Sequence, residues 1–403
     1  MSTSILYHGW GIRGYRYVRS EFGGGRIVYV IAQEDWRLRC PACGSRRVVC
    51  RGQFEREFKT LPIGGRPVVI RLPIQRVECR ECGVVRQAKV AFAEERRSYT
   101  HAFERLAVDL CRVMTIQDVA GHLGVSWDVV KDMHKRHLGR RFARPKLKRL
   151  RQIAIDEISV GHGQRYLTVV LDLVSGAVVF VGKGKSAESL APFWRRLRRS
   201  GAKVKAVAID MSPAYIDAVR TNLPKAKMVF DRFHVVKLFN EKLSELRRQV
   251  QSGAEGLAKK VLKCIRWLLL RNPENLDEKR NEKQRLEEAL RLNKPLATAY
   301  YLKEDLRQFW EQPDKPTARR FLKDWMARAT ASGIQMLAKF ARTLWIHEAG
   351  LLAWYDFPIS TGPLEGTNNK IKTLQRRAYG YRDQEYFTLR IYSLHETKYA
   401  LVG

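Results

Sequence analysis

The chain has 403 residues, and its 75 lysines and arginines outnumber 41 aspartates and glutamates to give a formal net charge of +34. Hydrophobic residues make up 45% of the composition, which is enough for folded cores. No run of about 18 uncharged apolar residues is present to span a bilayer. A charge this large favours a polyanionic partner. Because no basic amphipathic helix with an aromatic face is evident, nucleic acid is favoured over a membrane surface.

The first ten residues contain no basic segment followed by an apolar run, so the sequence predicts no signal peptide. Seven cysteines in a chain without an export signal indicate a reducing compartment rather than a disulfide framework. We therefore expect a cytoplasmic protein that associates with the nucleoid and not with a membrane.

Residues 15–90 have the pattern of short strands and turns, with strands predicted at 26–31, 66–72 and 75–78. Four cysteines in this region form two C-x-x-C pairs, each followed by glycine: Cys40, Cys43, Cys79 and Cys82. Four thiolates with this spacing predict one structural Zn²⁺ ion, although a redox pair and a substitute ligand at Cys50 stay open. Cys111 and Cys264 are expected to be buried core thiols.

Residues 115–138 carry the pattern of a helix-turn-helix. Thr115 can cap the first helix, Ala120 is small where two helices cross, and Gly124 suits the turn. Ser126 can cap the second helix, whose exposed recognition face would carry Trp127, Lys131 and Lys135. An ordinary helical hairpin is the alternative.

A basic run without any acidic residue extends from Lys135 to Arg151. Since solvated helix faces usually mix the two signs of charge, this run predicts contact with a nucleic-acid backbone. The predicted contacts from this run are Lys135, Arg136, Arg140, Arg141, Arg144, Lys146 and Lys148.

The remaining sequence predicts a mixed sheet followed by a long helical region. Strands are predicted at 152–160, 165–173, 177–182, 204–210 and 226–230. Helices are predicted at 186–200 and 212–222, throughout 235–355, and again at 363–400. This order matches an RNase H-like core, in which the first three strands form an antiparallel meander. The tryptophans of 235–355 are expected to lie mainly in its core.

Three carboxylates are placed where metal ligands would be expected. Asp156 interrupts one apolar strand, Asp210 ends another, and Glu365 opens a helix-like stretch. A charged group at the end of a buried strand is costly unless it is paired, and two metal ions about 4 Å apart can promote in-line phosphoryl transfer. Asp231 is a rival ligand because it also ends an apolar run. Glu157 should point to the opposite face of its strand from Asp156.

The chain resembles bacterial insertion-sequence transposases of the ISL-three family. The resemblance covers residues 35–395. It rests on the cysteine pairs, the helix-turn-helix, and the blocks Ile-Asp-Glu-Ile-Ser (155–159), Ile-Asp-Met-Ser-Pro-Ala-Tyr (209–215), Asp-Arg-Phe-His (231–234) and Leu-Glu-Gly-Thr-Asn-Asn-Lys-Ile-Lys (364–372). The last two blocks are the most specific parts.

The resemblance implies a DDE recombinase with an RNase H-like core. By analogy, Asp156 would bridge two Mg²⁺ ions, with Mn²⁺ as a substitute, while Asp210 and Glu365 would each hold one. Supporting roles are expected for His234, Asp231, Asn369 and Lys372. Arg376 and Arg377, with neighbouring tyrosines, would contact the DNA backbone.

We therefore predict a transposase that binds terminal inverted repeats of double-stranded DNA, then cleaves and joins strands as a homodimer or larger synaptic complex. The alternatives are a non-catalytic zinc and helix-turn-helix regulator, and an RNase H-like nuclease that cuts without joining. The expected fold is multidomain α+β. The predicted divisions are a zinc-binding β domain (1–95), the helix-turn-helix (96–142), a basic linker (143–151), the first part of the core (152–234), an all-helical insertion (235–355) and a C-terminal helical part (356–403).

Overall fold

The computed structural model describes residues 4–161 and 165–395. The chain divides into two compact units, Met1–Arg141 (unit 1) and Phe142–Gly403 (unit 2). The helical region predicted at 363–400 includes five residues, 396–400, that lie outside the described part of the chain. Our finer domain boundaries remain predictions.

Unit 1 begins with a short helix, α1 (Ile5–His8), and contains one five-stranded sheet. The strands are β1 (Tyr15–Gly23), β2 (Arg26–Gln33), β3 (Val48–Ile63), β4 (Arg66–Cys79) and β5 (Val85–Gln87). Their order is β1-β2-β4-β3, with β5 also paired to β4. Ile31, Phe58 and Ile70 are fully buried in its core.

The two strands predicted at 66–72 and 75–78 form one continuous strand, β4, which runs through Pro73. A proline cannot donate to a ladder, so it usually interrupts a central strand. At Pro73, however, β4 is paired with β3 alone, because its pairing with β2 ends at Arg71 and its pairing with β5 begins at Arg76.

Three helices follow: α2 (His101–Leu110), α3 (Ile116–Leu123) and α4 (Trp127–Phe142). A capping box joins Thr115 and Asp118 at the start of α3. Gly124 adopts φ = 58° in the turn before α4. Val119 and Val130 are buried where the helices pack. The helix-turn-helix prediction is confirmed.

Unit 2 is built on a second five-stranded sheet. Its strands are β6 (Gln152–Ser159), β7 (Tyr166–Asp172), β8 (Val178–Lys183), β9 (Ala206–Ile209) and β10 (Lys227–Phe230). They lie in the order β10-β9-β6-β7-β8, in which β6, β7 and β8 are antiparallel neighbours and β6, β9 and β10 are parallel neighbours. This is the predicted RNase H-like arrangement.

Two helices provide the crossovers that parallel strands require. Helix α5 (Ala191–Ser200) connects β8 to β9, and α6 (Pro213–Asn222) connects β9 to β10. Phe193 and Leu197 of α5, with Tyr215 and Val219 of α6, are buried in the same core as the sheet.

The long excursion after β10 is helical, as predicted. Its helices are α7 (Arg232–Ser252), α8 (Gly256–Cys264), α9 (Arg266–Leu270), α10 (Glu282–Arg291), α11 (Lys294–Arg307), α12 (Lys315–Ala331), α13 (Gln335–Ile346) and α14 (Glu348–Leu352). Trp310 and Trp325 are buried, whereas Trp267 and Trp345 are exposed, so the expectation of core tryptophans was wrong for that second pair. Helix α14 packs on β10, where a Cβ at Gly350 would lie 2.3 Å from the Phe230 ring.

Two further helices complete the described chain. Helix α15 (Gly362–Arg377) contacts β6, and α16 (Gln384–Tyr392) contacts β8. The hydroxyl of Tyr392 accepts a hydrogen bond from the backbone N–H of Val181 at 3.2 Å. Among the described helices, none is long and apolar enough to cross a membrane.

Candidate active site and zinc cluster

Three aspartates follow one another at the carboxyl edge of the sheet in unit 2. Ala154 lies opposite Ala208 in the parallel pairing of β6 with β9, two residues before Asp156 and Asp210 respectively. β9 and β10 are also parallel, with Ile209 opposite Phe230. Extending this register by one residue places Asp231 beside Asp210. Residues in register on neighbouring strands point to the same face, so the topology brings these carboxylates together.

The carboxylate of Asp156 is fixed at both oxygens. Its Oδ1 accepts a hydrogen bond from the backbone N–H of Glu157 at 2.8 Å, and its Oδ2 accepts one from Nδ2 of Asn368 at 2.9 Å. Burial raises the pKa of Asp156 from 3.8 to about 6, and the charge of Asp210 adds to that rise while His234 opposes it. A carboxylate that is costly to ionise here would be stabilised by a bound cation.

Asp210 is oriented by the start of α6. Its Oδ1 accepts a hydrogen bond from the backbone N–H of Ser212 at 3.0 Å. Within the described part of the chain, Asp156, Asp210 and Glu365 form no salt bridge with lysine or arginine. In a chain with a net charge of +34, carboxylates left without basic partners are available to metal ions.

Asp231 is buried and has a hydroxyl partner. Its Oδ2 accepts a hydrogen bond from Oγ1 of Thr361, which is also buried and precedes α15. Among the described residues, its carboxylate is hydrogen-bonded to this threonine rather than to His234. His234 lies in the first turn of α7, is half-buried, and lowers the pKa of Asp156 through its charge. The contact between Asp231 and Thr361 therefore joins the end of β10 to the start of the helix that carries Glu365.

Glu365, Asn368, Asn369 and Lys372 form a polar set at i, i+3, i+4 and i+7 of α15, of which the sequence analysis selected Asn369 and Lys372 as supporting residues. The structure buries Asn368 against Asp156 and leaves Glu365, Asn369 and Lys372 exposed. Asn368 is thus a site residue that the prediction did not select.

A sequence signal for Asn368 was present. Leu364, Asn368 and Ile371 lie at i, i+4 and i+7 on α15, and all three are buried. Helical residues with this spacing share one stripe. An amide between two apolar residues on the buried stripe indicates a polar partner in the interior.

The donor set near this sheet edge, three carboxylates and the side-chain oxygen of Asn368, is of the oxygen-rich type that Mg²⁺ prefers. The four cysteines are the only group of three or more His, Cys, Asp or Glu residues in the described chain whose ligand atoms all lie within 4.8 Å of one another. The carboxylate oxygens of Asp156, Asp210 and Glu365 do not all lie within this distance of one another. Oδ1 of Asn368 is buried without a hydrogen-bond partner and lies on the same helix as Glu365.

Two competing acidic residues have other environments. Glu157 points to the sheet face on which Tyr215 lies: burial is the main cause of the raised pKa of Tyr215, and the Glu157 carboxylate contributes to it. Asp172 accepts hydrogen bonds from the backbone N–H groups of Val174 and Ser175 at 3.3 and 3.1 Å. The placement of Glu157 agrees with the sequence analysis, which assigned it to the opposite face from Asp156, and Asp172 serves a turn.

The cysteine pairs of unit 1 converge. The sulfurs of Cys40 and Cys82 are 3.6 Å apart, and those of Cys43 and Cys79 are 3.5 Å apart. Four Zn–S bonds of about 2.3 Å around a tetrahedral ion place sulfurs about 3.8 Å apart, so the cluster fits zinc. All four are free thiols rather than disulfides.

Local backbone geometry prepares the cluster for a metal. Backbone N–H groups point at Sγ of Cys40 and of Cys79 and lower the pKa of both thiols, which favours the thiolate that zinc needs, whereas burial and the neighbouring sulfurs raise the pKa of Cys43 and Cys82. Gly44 and Gly83, which follow the two pairs, adopt φ of 76° and 69°. Cys50 lies outside the cluster. Cys111 is buried as expected, but Cys264 is exposed, so its assignment to the core was wrong.

The predicted DNA-binding residues of α4 lie in two environments. Trp127 is exposed, and Nζ of Lys131 lies 5.2 Å from its ring centroid. Arg136 and Arg140 form ion pairs with Glu94 and Glu104 within unit 1. These pairs give both arginines a structural role, whereas Trp127 and Lys131 keep an accessible surface.

The basic segment after α4 has its charges outside and its apolar residues inside. Leu147 and Leu150 belong to the core of unit 2, and the exposed basic residues after α4 are Arg144, Lys146, Lys148, Arg149 and Arg151. Arg141, near the end of α4, is also exposed. Lys135 is half-buried, and Arg376 and Arg377 are exposed at the end of α15. DNA contact by any of these residues stays a prediction.

Comparison with known proteins assigns the chain to a family. The catalytic-domain family described as "Transposase" matches residues 153–391, more than half of the chain. The chain belongs to the ISL3 (ISL-three) family of DDE transposases. The helix-turn-helix domain of transposase family ISL3 matches residues 88–138, and the zinc-finger of transposase IS204/IS1001/IS1096/IS1165 matches residues 36–82. The chain is accordingly an enzyme, with a zinc-finger and a helix-turn-helix domain.

Relatives and a solved structure accompany this assignment. The chain is 35% identical over 95% of both sequences to the transposase for insertion sequence element IS1001 from Bordetella parapertussis. It is 28% identical to the transposase for insertion sequence element IS1557 from Mycobacterium tuberculosis (H37Rv), covering 90% of this chain and 87% of that one. The Drosophila P element transposase strand transfer complex aligns at 11% identity with a TM-score of 0.39, over 72% of this chain and 91% of that chain.

The Asn368 contact leads to a testable expectation. Replacing Asn368 with alanine should lower DNA cleavage about 10–100-fold and raise the Mg²⁺ concentration required, because groups that orient a metal ligand typically have effects of this size. Cleavage rates measured across a Mg²⁺ titration check this, with the exposed Thr373→Ala on the same helix as the control. A metal dependence identical to that of the parent enzyme would show that Asn368 does not orient Asp156.

Proposed function

We propose that this transposase binds the terminal inverted repeats of its insertion sequence through unit 1, and cleaves and joins DNA strands at Asp156, Asp210 and Glu365. The observation that supports this proposal is the registration of Asp156 with Asp210 at one sheet edge, together with the hydrogen bond from Asn368 of the Glu365 helix to Asp156. Named relatives that act as transposases for insertion sequence elements support the same assignment.

The protein groups at this edge would position metal ligands and DNA. The backbone N–H of Glu157 donates to one oxygen of Asp156, and the backbone N–H of Ser212 donates to one oxygen of Asp210. Both carboxylates keep other lone pairs that can bind cations. Two Mg²⁺ ions, or Mn²⁺ in their place, would activate the attacking hydroxyl and stabilise the leaving 3′-oxygen. Glu365, which precedes Asn368 by about one helical turn on α15, would complete the set of metal ligands.

Residues around the carboxylates would hold the DNA. Asn369 and Lys372 are exposed on the helix of Glu365, where they can reach phosphates of the scissile strand. His234, which acts electrostatically on Asp156, would lie beside the DNA end. Asp231 would set the start of α15 through Thr361.

Pairing two element ends requires two copies of the end-binding unit, so the proposal includes a homodimer or a larger synaptic complex on the bacterial nucleoid. Trp127, Lys131, Lys135 and Arg141 of unit 1 would bind the ends, and Arg144, Lys146 and Lys148 at the start of unit 2 would add backbone contacts, while Arg136 and Arg140 support α4 through their ion pairs. Arg376 and Arg377 would bind DNA near the active site.

The test uses duplexes of the element's own ends. Asp210→Ala and Glu365→Ala should each lower cleavage by about 10³-fold or more, since each removes a metal ligand worth several kcal/mol, while end binding is preserved. The exposed Asp217→Ala on α6 serves as the carboxylate control. Full cleavage by either alanine variant in Mg²⁺ would refute the triad, and cleavage without strand transfer would indicate a nuclease instead.

A further inference from the structure

A groove lies at one end of the sheet in unit 2. Its volume is about 770 Å³, and it is bounded by the ends of β6, β7 and β8 and by the connection between α15 and α16. The cationic, amide and tyrosine side chains of its lining are Arg165, Tyr166, Lys183, Gln375, Tyr381 and Gln384. None of the three catalytic carboxylates lines it, so it is a separate feature.

The chemistry of the lining suits a nucleotide. Tyr381 stacks on Phe387, with ring centroids 4.5 Å apart and an interplanar angle of 18°, which fixes the orientation of its ring. Nζ of Lys185 lies 4.6 Å from the ring centroid of Tyr166. The described lining has cations and amides but no carboxylate. Fixed aromatic rings beside cations bind a base by stacking and a phosphate by charge, whereas an acidic peptide would need only the cations.

The loop between the helices adds an independent observation. Helix α15 ends in a Schellman motif, in which the N–H of Gly380 donates to the carbonyl of Gln375 at 3.0 Å and the N–H of Tyr379 donates to that of Arg376 at 3.1 Å. Tyr379 occupies the left-handed position of this motif with φ = 51°, where glycine is the usual residue. Its side chain is 101% exposed, so packing does not explain a tyrosine there. A strained, exposed aromatic residue indicates a function outside the fold.

The groove is within reach of a strand that passes through the active site. Val160 on its wall follows Asp156 by four residues of extended chain, or about 13 Å. Gln375 follows Asn368 by seven helical residues, or about 10 Å. At about 3.4 Å per stacked nucleotide, these spans correspond to three or four nucleotides.

We propose that this groove binds an unpaired nucleotide of the DNA strand that leaves the active site. The base stacks on Tyr381 in the groove and on Tyr379 in the adjoining loop, next to the lining residue Gly380, and Arg165 and Lys183 hold the neighbouring phosphates. The inference rests on the proposed function, because that function supplies the DNA strand at the sheet edge. The inference adds to the proposed function a site that binds single-stranded rather than double-stranded DNA.

The test compares two probes on the full-length chain without Mg²⁺: a duplex of the element's end, and the same duplex with a short unpaired thymidine tail at the cleavage position. The parent should bind the tailed probe more tightly. Tyr379→Gly should abolish this difference, with about tenfold weaker binding of the tailed probe, since loss of base stacking has an effect of this order. The melting temperature should not fall, because glycine suits the left-handed position.

Three controls sharpen the result. Tyr379→Phe keeps a ring and should bind as the parent does. Tyr301→Ala removes another exposed tyrosine, on α11, and should change nothing. A 4-thiothymidine in the tail should crosslink to peptides containing Tyr379 or Tyr381.

The proposal is overturned if the parent binds both probes equally, if Tyr379→Gly retains the preference, or if the crosslinks map outside the groove. Failure of the proposed function would be seen separately. In that case the parent would not cleave its ends in Mg²⁺, whatever its preference for the tailed probe.

Discussion

Asp156→Asn is expected to abolish DNA cleavage and, in the same molecule, to raise the melting temperature of the Mg²⁺-free protein at pH 7. The loss of activity follows from removing the charge of the central ligand. The gain in stability follows from the raised pKa of Asp156, about 6 against 3.8 in the unfolded chain. A shift of this size corresponds to about 3 kcal/mol of destabilisation once the folded protein ionises.

The sign can be checked against pH. Below pH 3.8 the carboxyl is protonated in both states, and it contributes no difference. Between pH 3.8 and about 6 the unfolded chain loses its proton first, so stability falls as pH rises; above about 6 the full cost is present. The advantage of Asp156→Asn over the parent should therefore grow across this window and then level off.

The new amide can be accommodated. Oδ1 of Asn368 is buried without a partner, so a flip of the Asn368 amide provides an acceptor for the donor introduced at position 156. Thermal unfolding of both proteins from pH 4 to pH 8 measures the effect, with Asp217→Asn as the control. A parent that is more stable than Asp156→Asn at pH 7 without Mg²⁺ would contradict the electrostatic account of this carboxylate.

Cys40→Ser is expected to release zinc and to unfold the region around the two cysteine pairs. Structural zinc contributes of the order of 10 kcal/mol to small domains, which equals the whole stability of a typical domain. Binding to element ends should be lost with it. Metal analysis should give one zinc per parent chain, and limited proteolysis should show new cleavage within residues 38–84 of the variant.

Cys50→Ser provides the matched control, because Cys50 lies on β3, is exposed, and is outside the cluster. It should retain zinc, protease resistance and end binding. A parent protein without zinc, or an equal loss of zinc in both variants, would end the assignment of the four ligands.

The sequence analysis succeeded where periodicity and topology determine the outcome. The strands that carry Asp156 and precede Asp210 could be assigned to neighbouring positions, because in an RNase H-like order the strand after the antiparallel meander and its crossover helix returns beside the first strand. The glycines after the cysteine pairs and Gly124 were recognised because their backbone angles are ones that other residues avoid. The family resemblance then agreed with the assignment.

The errors arose where a side chain's environment depends on residues distant in sequence. Asn368 was not selected from its four-residue polar set, because only the packing of α15 on β6 decides which amide faces Asp156. The ion pairs of Arg136 and Arg140 join α4 to glutamates more than 30 positions away, which no local pattern reveals. Trp267 and Cys264 have apolar side chains but lie on the exposed sides of short helices.

The packing of α14 on β10 has a consequence for how this enzyme tolerates change in length. Gly350 presses on Phe230, one residue before Asp231, and Asp231 in turn holds Thr361 at the start of the Glu365 helix. The last helix of the excursion is therefore fixed to the sheet by this contact, independently of how the other helices of the excursion pack. We therefore expect that insertions or deletions among the middle helices of the excursion change its size without changing the position of Glu365. A bulkier side chain at Gly350 would displace Phe230, and with it Asp231, Thr361 and the start of the helix that carries Glu365.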